Sequence, residues 1–281
     1  MIILRLSIAV LLEANSKYLQ KMSSKFKKYK EDSVRDKDYY DLPLSVSNKG
    51  FLYEEYIFEL LKKENLVPSG FTPAGSDDSA PDCKFIWKNR EYNLEIKLDE
   101  KADFGQSGLK YNTSTNKWFL DGKTSTYHRT MRKNLENIGV PSFVQKAWGS
   151  FGTPRLFERA SKREKMTWED KEYDYKIFKD QYISIDNRTF FSYYNSKKTY
   201  YIQIGGYGTY YLGEDPANLR QFTEISKFDG SVKLRIRKKG STISPNYRFS
   251  TALMIDKKPT KSSFDISKSD SIDFLIANLS K

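Results

Sequence analysis

The chain has 281 residues, 38% of them hydrophobic and 30% charged, with a net charge of +12 and a pI near 9.4. That is apolar content enough for one large or two modest domains, and the positive balance favours a polyanionic partner, nucleic acid foremost. One Cys (Cys83) and one His (His128) exclude an intrachain disulfide, a Cys/His zinc cluster and any catalytic set built on several histidines. Catalysis has to rest on carboxylates, Lys, Arg, Tyr or Ser, and the lack of a disulfide agrees with an intracellular location.

Residues 2–12 are apolar but interrupted by Arg5, and they are too short to span a bilayer. No positive charge precedes the apolar run, so it does not read as a signal peptide, and no membrane association is expected. Leu4, Leu6, Ile8, Val10 and Leu12 alternate as in a strand, while Ile8 to Met22 also fits a helix. Residues 17–37 are rich in Lys with Tyr18, Phe26 and Tyr29 interleaved, which suits either a solvated helix or an arm on DNA. Asp41 to Asn48 reads as a linker. Residues 1–49 are therefore set apart as a helical, basic arm.

From Gly50 the spacing predicts a helix. Tyr53, Tyr56, Ile57 and Leu60 share one face with Leu61 beside it, and Glu55 and Glu59 lie opposite with Lys62 and Lys63. Glu54 falls at the buried margin, where a carboxylate needs a partner or a metal. Pro68, Gly70, Pro73, Gly75, Asp77 and Asp78 then make a loop, with room for a short strand at Val67 to Phe71. Two strands follow, Pro81 to Trp87 and Glu91 to Leu98, joined by a turn at Lys88-Asn89-Arg90. That hairpin puts Asp82 and Glu95 on neighbouring strands. Along the second strand Asn93, Glu95 and Lys97 point to one side, and Leu94, Ile96 and Leu98 to the other.

Pro81-Asp82, with Glu95-x-Lys97 thirteen residues after the Asp, resembles the PD-(D/E)XK nuclease superfamily. Gly50-Phe-Leu-Tyr53-Glu54 is similar to the helix start that carries a glutamate in many of its members. The resemblance covers roughly residues 50–106. It implies an α/β, restriction-endonuclease-like fold: a mixed central sheet flanked by helices, here with a β-rich C-terminal part. It also implies a Mg²⁺-dependent endonuclease acting on duplex DNA, with Mn²⁺ as a substitute, leaving 5′-phosphate and 3′-hydroxyl ends. Asp82 and Glu95 would bind the metal, Glu54 would complete the site, Lys97 would polarise the attacking water, and Gln106 would lie near the scissile phosphate. The residue types suit the chemistry, because Mg²⁺ prefers oxygen ligands with few protein carboxylates and both activates water and neutralises phosphate charge. A surface hairpin with an unrelated Glu/Lys pair is the plain structural alternative. Among functions, a junction or flap nuclease, an RNase and a non-catalytic nucleic-acid-binding protein stand beside the main reading, and a homodimer is compatible with all of them.

Beyond the hairpin, Lys110 is a candidate phosphate ligand. Lys123 to Asn137 reads as a basic helix carrying His128, Arg129, Arg132 and Lys133, of which the Arg and Lys residues suit a phosphate backbone and His128 a polar surface. Residues 150–190 mix charged and aromatic residues without a clean period. From Thr199 the chain turns strand-rich: Tyr200 to Ile204, Thr209 to Leu212, Val232 to Arg237 and Tyr247 to Ile255, with a closing helix at residues 271–279. Val232, Leu234 and Ile236 alternate with Lys233, Arg235 and Arg237, a half-buried strand whose basic side could track phosphates or protect an edge. The pair Tyr200-Tyr-Ile and Tyr210-Tyr-Leu-Gly213, with Arg220, partly resembles a GIY-YIG signature. That family needs a downstream glutamate, and no Glu follows Glu224, so residues 205–208 read as a hairpin turn. The expected organisation is an arm (1–49), a nuclease core (50–150) and a β-rich basic domain (151–281).

Overall fold

Lys88 and Asn89 turn the first hairpin, both in the left-handed region with φ of 47° and 57°. Two consecutive positive-φ residues make the two-residue turn whose twist matches that of the flanking strands. The computed structural model describes residues 49–73, 81–122, 126–185, 187–221, 230–238, 245–255 and 259–277. The expected N-terminal apolar element, basic arm and linker, together with Asp77 and Asp78, lie outside these residues.

The elements follow in chain order. The first are α1 (Lys49–Lys63), β1 (Cys83–Trp87), β2 (Arg90–Lys97), β3 (Gly105–Asn112), β4 (Lys117–Leu120), α2 (Thr126–Asn137) and α3 (Val140–Trp148). Then come α4 (Arg155–Ser161), α5 (Trp168–Ile177), β5 (Gln181–Ser184), α6 (Asn187–Ser196), β6 (Thr199–Ile204) and β7 (Gly208–Tyr211). The chain continues with β8 (Gly230–Lys238), β9 (Tyr247–Ile255) and α7 (Ser269–Ala277). The fold is mixed α/β, with helices against two sheets and a β-rich C-terminal part.

The expected mixed sheet has the order β1-β2-β6-β7. Its β1–β2 and β6–β7 pairs are antiparallel, and β2 runs parallel to β6. β6 and β7 are buried nearly throughout, as expected for strands covered on both faces. The close fit of β6 on β2 requires Gly205, whose N–H bonds the Lys97 carbonyl at 2.9 Å. A Cβ there would stand 2.2 Å from the Leu98 carbonyl oxygen.

The second sheet is antiparallel in every pair, in the order β4-β3-β9-β8-β5. Each sheet thus takes strands from both sides of residue 150, so the stretches 50–150 and 151–281 share both sheets. Trp118 on β4, Trp148 on α3, Phe178 after α5 and Phe249 on β9 form an aromatic cluster against this sheet, with ring centroids 5.0–6.0 Å apart. Such pairs add roughly 0.5–1.5 kcal/mol each beyond their buried area. They explain why the segment after residue 150, which has no clean period, still folds: its aromatics answer one another across elements and not along a helix face.

Three local findings go beyond the spacing. Gly105 to Asn112, for which no element is expected, is a strand, because β9 offers it a hydrogen-bonding edge. Val67 to Phe71 forms no strand; it follows coil tied to β1 by the Ile86 N–H, which donates to the Leu66 carbonyl at 2.7 Å. Residues 155–196 hold three helices and a strand. The helix starting near Gly50, the hairpin strands and the four later strands stand where the spacing places them.

Candidate active site

Register brings the carboxylates together. Cys83 pairs with Leu94, so Asp82, one step before, stands beside Glu95 on the neighbouring strand. The Ile96 N–H donates to Asp82 Oδ2 at 2.8 Å, which fixes the Asp82 side chain against the backbone of β2. Glu95 and Lys97 share one face of β2, while Leu94 and Ile96 are fully buried on the other. The Lys97 ammonium lies 2.6 Å from Glu95 Oε1 and 3.4 Å from Asp82 Oδ2.

α1 packs on this hairpin through Tyr53, Ile57 and Leu61, all buried. The Tyr53 hydroxyl is held by the Gln203 side-chain amide at 3.1 Å, and Gln203 bonds Asp265 and Thr209 in turn. That network anchors the N-terminal half of α1 to β6, β7 and the segment before α7. Glu54 is half-buried and Glu55 exposed, the phase that the helical spacing predicts. Burial and, next, the charge of Asp82 push the Glu54 carboxyl up to about 7.

Opposing forces act on the other groups. Burial raises the Asp82 carboxyl above its ordinary value and the Glu95 charge adds to the rise, against Lys97 and the Ile96 N–H. Burial also pushes Glu95 upward, but Lys97 and Lys197 outweigh it and hold that carboxyl below its ordinary value. Burial alone would lower the Lys97 ammonium; the charges of Asp82 and Glu95 reverse the sign and raise it. Lys97 therefore keeps its proton, a hydrogen-bond donor and fixed positive charge and not a base.

Two partners of Glu95 come from a segment with no motif. Lys197, just past α6, places its ammonium 3.6 Å from Glu95 Oε2. The Tyr194 hydroxyl lies 3.4 Å from Glu95 Oε1 and bonds the Phe104 carbonyl. A phenol carries one proton, and the Phe104 carbonyl is the closer acceptor. Because the Phe104 N–H donates to the Leu253 carbonyl at 3.0 Å, Tyr194 joins the mixed sheet to the antiparallel one beside the carboxylates. Nothing in Tyr193-Tyr194-Asn195-Ser196-Lys197 signals this; only the parallel pairing of β6 with β2 brings it to Glu95.

Gln106 is the second residue of β3, where its amide donates to Asp103 at 2.8 Å and its oxygen accepts from Arg248 at 3.0 Å. Lys110 is exposed on the same strand and lies 3.9 Å from Asp121. Arg129, Arg132 and Lys133 sit on α2, with Arg132 3.1 Å from Glu136. Lys233, Arg235 and Arg237 occupy β8 opposite Ala252, Ser250 and Arg248 of β9. Arg248, which the sequence reading did not single out, is the exposed partner of Gln106 on β9.

The donor set suits a hard cation. Its atoms are carboxylate oxygens, and Glu95 Oε2 is buried without a hydrogen bond. Among the described residues, no group of three or more His, Cys, Asp or Glu side chains is arranged to hold a metal ion. Any cation here would have to be held by the two carboxylates Asp82 and Glu95 and completed by water, a donor set of the kind that Mg²⁺ accepts. Among the described residues, no helix is long and apolar enough to cross a membrane.

No family model matches the chain, and no curated protein matches it. Among solved structures, it is similar to the HhaI endonuclease in complex with DNA, at 12% identity and a TM-score of 0.40, over 80% of this chain and 99% of that one. A likeness at this level assigns neither family nor activity.

Proposed function

We propose that the chain is a Mg²⁺-dependent endonuclease acting on duplex DNA. One observation carries the reading: Asp82, Glu95 and Lys97 converge at paired positions of a buried hairpin, where Lys97 lies 2.6 Å from Glu95 and 3.4 Å from Asp82. Asp82 and Glu95 would hold the cation, with Glu54 at its margin, and Mn²⁺ would substitute. When bound, the cation supplies an activated water at neutral pH and neutralises phosphate charge. The chain's own residues do the rest. Lys97 donates a hydrogen bond to the attacking water or to a phosphate oxygen, as a preorganised positive charge in a water-poor site. Ile96 N–H keeps Asp82 turned toward Glu95. Gln106 and Lys110 on β3 and Arg248 on the neighbouring β9 offer polar groups by which phosphates could be held, and Lys233, Arg235 and Arg237 alternate along the sequence of β8.

The test is incubation with supercoiled plasmid, linear duplex, a four-way junction and RNA, with Mg²⁺, Mn²⁺ or excess EDTA. Cleavage of duplex in either metal and none in EDTA supports the reading; full cleavage in EDTA ends it. Preference for the junction or for RNA would redirect the substrate class while leaving the site intact. A second reading, a nucleic-acid-binding protein without activity, is favoured by the way Lys97 and Lys197 already neutralise Glu95. Tight binding with no cleavage in Mg²⁺ or Mn²⁺ would select it.

A further inference from the structure

Lys197 has no part in the chemistry above, yet the fold buries it. It sits where α6 ends, its N–H bonded to the Tyr194 carbonyl at 2.9 Å and its carbonyl accepting from the Asn93 amide at 3.3 Å. Both bonds fix the backbone, so the side chain starts from a defined point. Its ammonium lies 5.8 Å from each of the Tyr193 and Tyr194 ring centroids and 3.6 Å from Glu95 Oε2, with only 5% of the side chain exposed. A group so enclosed does not reach substrate. Glu95 is the acid it meets, on the oxygen opposite the one that Lys97 holds.

A buried carboxylate with an unanswered oxygen is unstable unless a positive charge stands nearby. Lys97 answers Oε1 and is shared with Asp82. Oε2 accepts no hydrogen bond, and at 3.6 Å Lys197 faces it as a charge without a close bond. That is the arrangement in which another cation can take up the oxygen without first breaking a short hydrogen bond.

We propose that Lys197 is a positioning residue: it is the standing counter-charge that holds Glu95 in place from the Oε2 side while no divalent cation is bound. The cation part of this inference rests on the nuclease reading; the Lys197–Glu95 part does not. Lys197 and a bound cation would answer the same oxygen, so a chain without the Lys197 charge should depend more on the cation for its stability.

The experiment is thermal unfolding of the full chain as wild type, Lys197→Met, Glu95→Gln and the double variant, each in EDTA and in excess calcium chloride. Calcium is the probe because it occupies oxygen sites of this kind, and a ligand that binds the native state raises Tm. In EDTA, Lys197→Met should lower Tm by roughly 5 °C in the wild-type background and by less than about half of that in the Glu95→Gln background. The calcium-induced rise in Tm should be about twice as large in Lys197→Met as in wild type. Equal losses in both backgrounds, with an unchanged calcium effect, would assign Lys197 to packing and overturn the proposal. Should Lys197→Met fail to fold, the double variant should fold, because the stranded charge is gone; an unfolded double variant also overturns it. If calcium leaves wild-type Tm unmoved, the metal-dependent nuclease reading is what fails, and the two backgrounds still decide the role of Lys197.

Discussion

Lys97 meets Glu95 at 2.6 Å across a single buried isoleucine of the same strand. The strand period alone puts both side chains on one face, and the hairpin register adds Asp82 from the next strand. This makes Lys97 a shared cation between two acids, fixed before any substrate arrives.

The first prediction concerns that sharing. Lys97→Ala leaves both candidate metal carboxylates in place and removes the charge that would stabilise the attacking water or phosphate. It should bind Mn²⁺ as wild type does, by calorimetry, yet cut DNA on the order of 10²-fold more slowly or worse. Unchanged cleavage would remove Lys97 from the chemistry.

Glu54 and Glu55 provide an internal control. Glu54 is half-buried and feels the charge of Asp82, whereas Glu55 is exposed. Glu54→Gln should weaken cleavage and metal binding, and Glu55→Gln should behave as wild type. The sign of a pH effect also follows. The folded Glu54 carboxyl is pushed up to about 7, so the folded state holds a proton that the unfolded state, with an ordinary Glu near 4.3, has already released. In metal-free buffer the Glu54 contribution to stability should therefore decline as pH rises from about 4.5 to about 7. Denaturant midpoints of wild type and Glu54→Gln across that range should diverge, with Glu54→Gln the flatter of the two. Parallel curves would show that Glu54 is not confined beside Asp82.

How far the sequence reaches can be read from three residues. Asp82 and Glu95 are legible because a hairpin is local: its turn and its alternation are written in consecutive residues. Glu54 is legible because helical phase is local too. Lys197 is not, since its approach to Glu95 depends on β6 lying parallel to β2 across a connection of about one hundred residues, which no local pattern encodes. The same holds for β3, whose Gly-rich sequence carries no strand pattern until β9 supplies its partner. Both sheets take strands from either side of residue 150, a pairing between distant segments that no local pattern announces.

Gly205→Ala tests the close approach that positions β2. A Cβ would fall 2.2 Å from the Leu98 carbonyl oxygen, and backbone must move to admit it. The loss should reach about 3 kcal/mol, the upper range for overpacking, seen as a lower urea midpoint, with reduced cleavage because Leu98 directly follows Lys97. A wild-type midpoint would mean that β6 and β2 are less tightly joined.

The basic row on β8 carries a prediction for binding alone. Replacing Arg235 and Arg237 with Ala should weaken DNA affinity across sequences and lower the slope of log affinity against log salt by about 1 for each phosphate no longer neutralised. An unchanged slope in fluorescence anisotropy would assign both residues to a solvated surface.

The central claim is that the β1–β2 hairpin is a catalytic centre, and single-turnover cleavage of plasmid by wild type and Asp82→Asn tests it most directly. Asp82→Asn keeps the shape of the side chain and removes its charge, so binding of uncut DNA in calcium should stay at the wild-type level. In Mg²⁺ the wild type should nick or linearise the plasmid, and Asp82→Asn should do so on the order of 10²-fold more slowly or not at all. Equal rates for the two proteins would place any cleavage elsewhere in the chain and contradict the account.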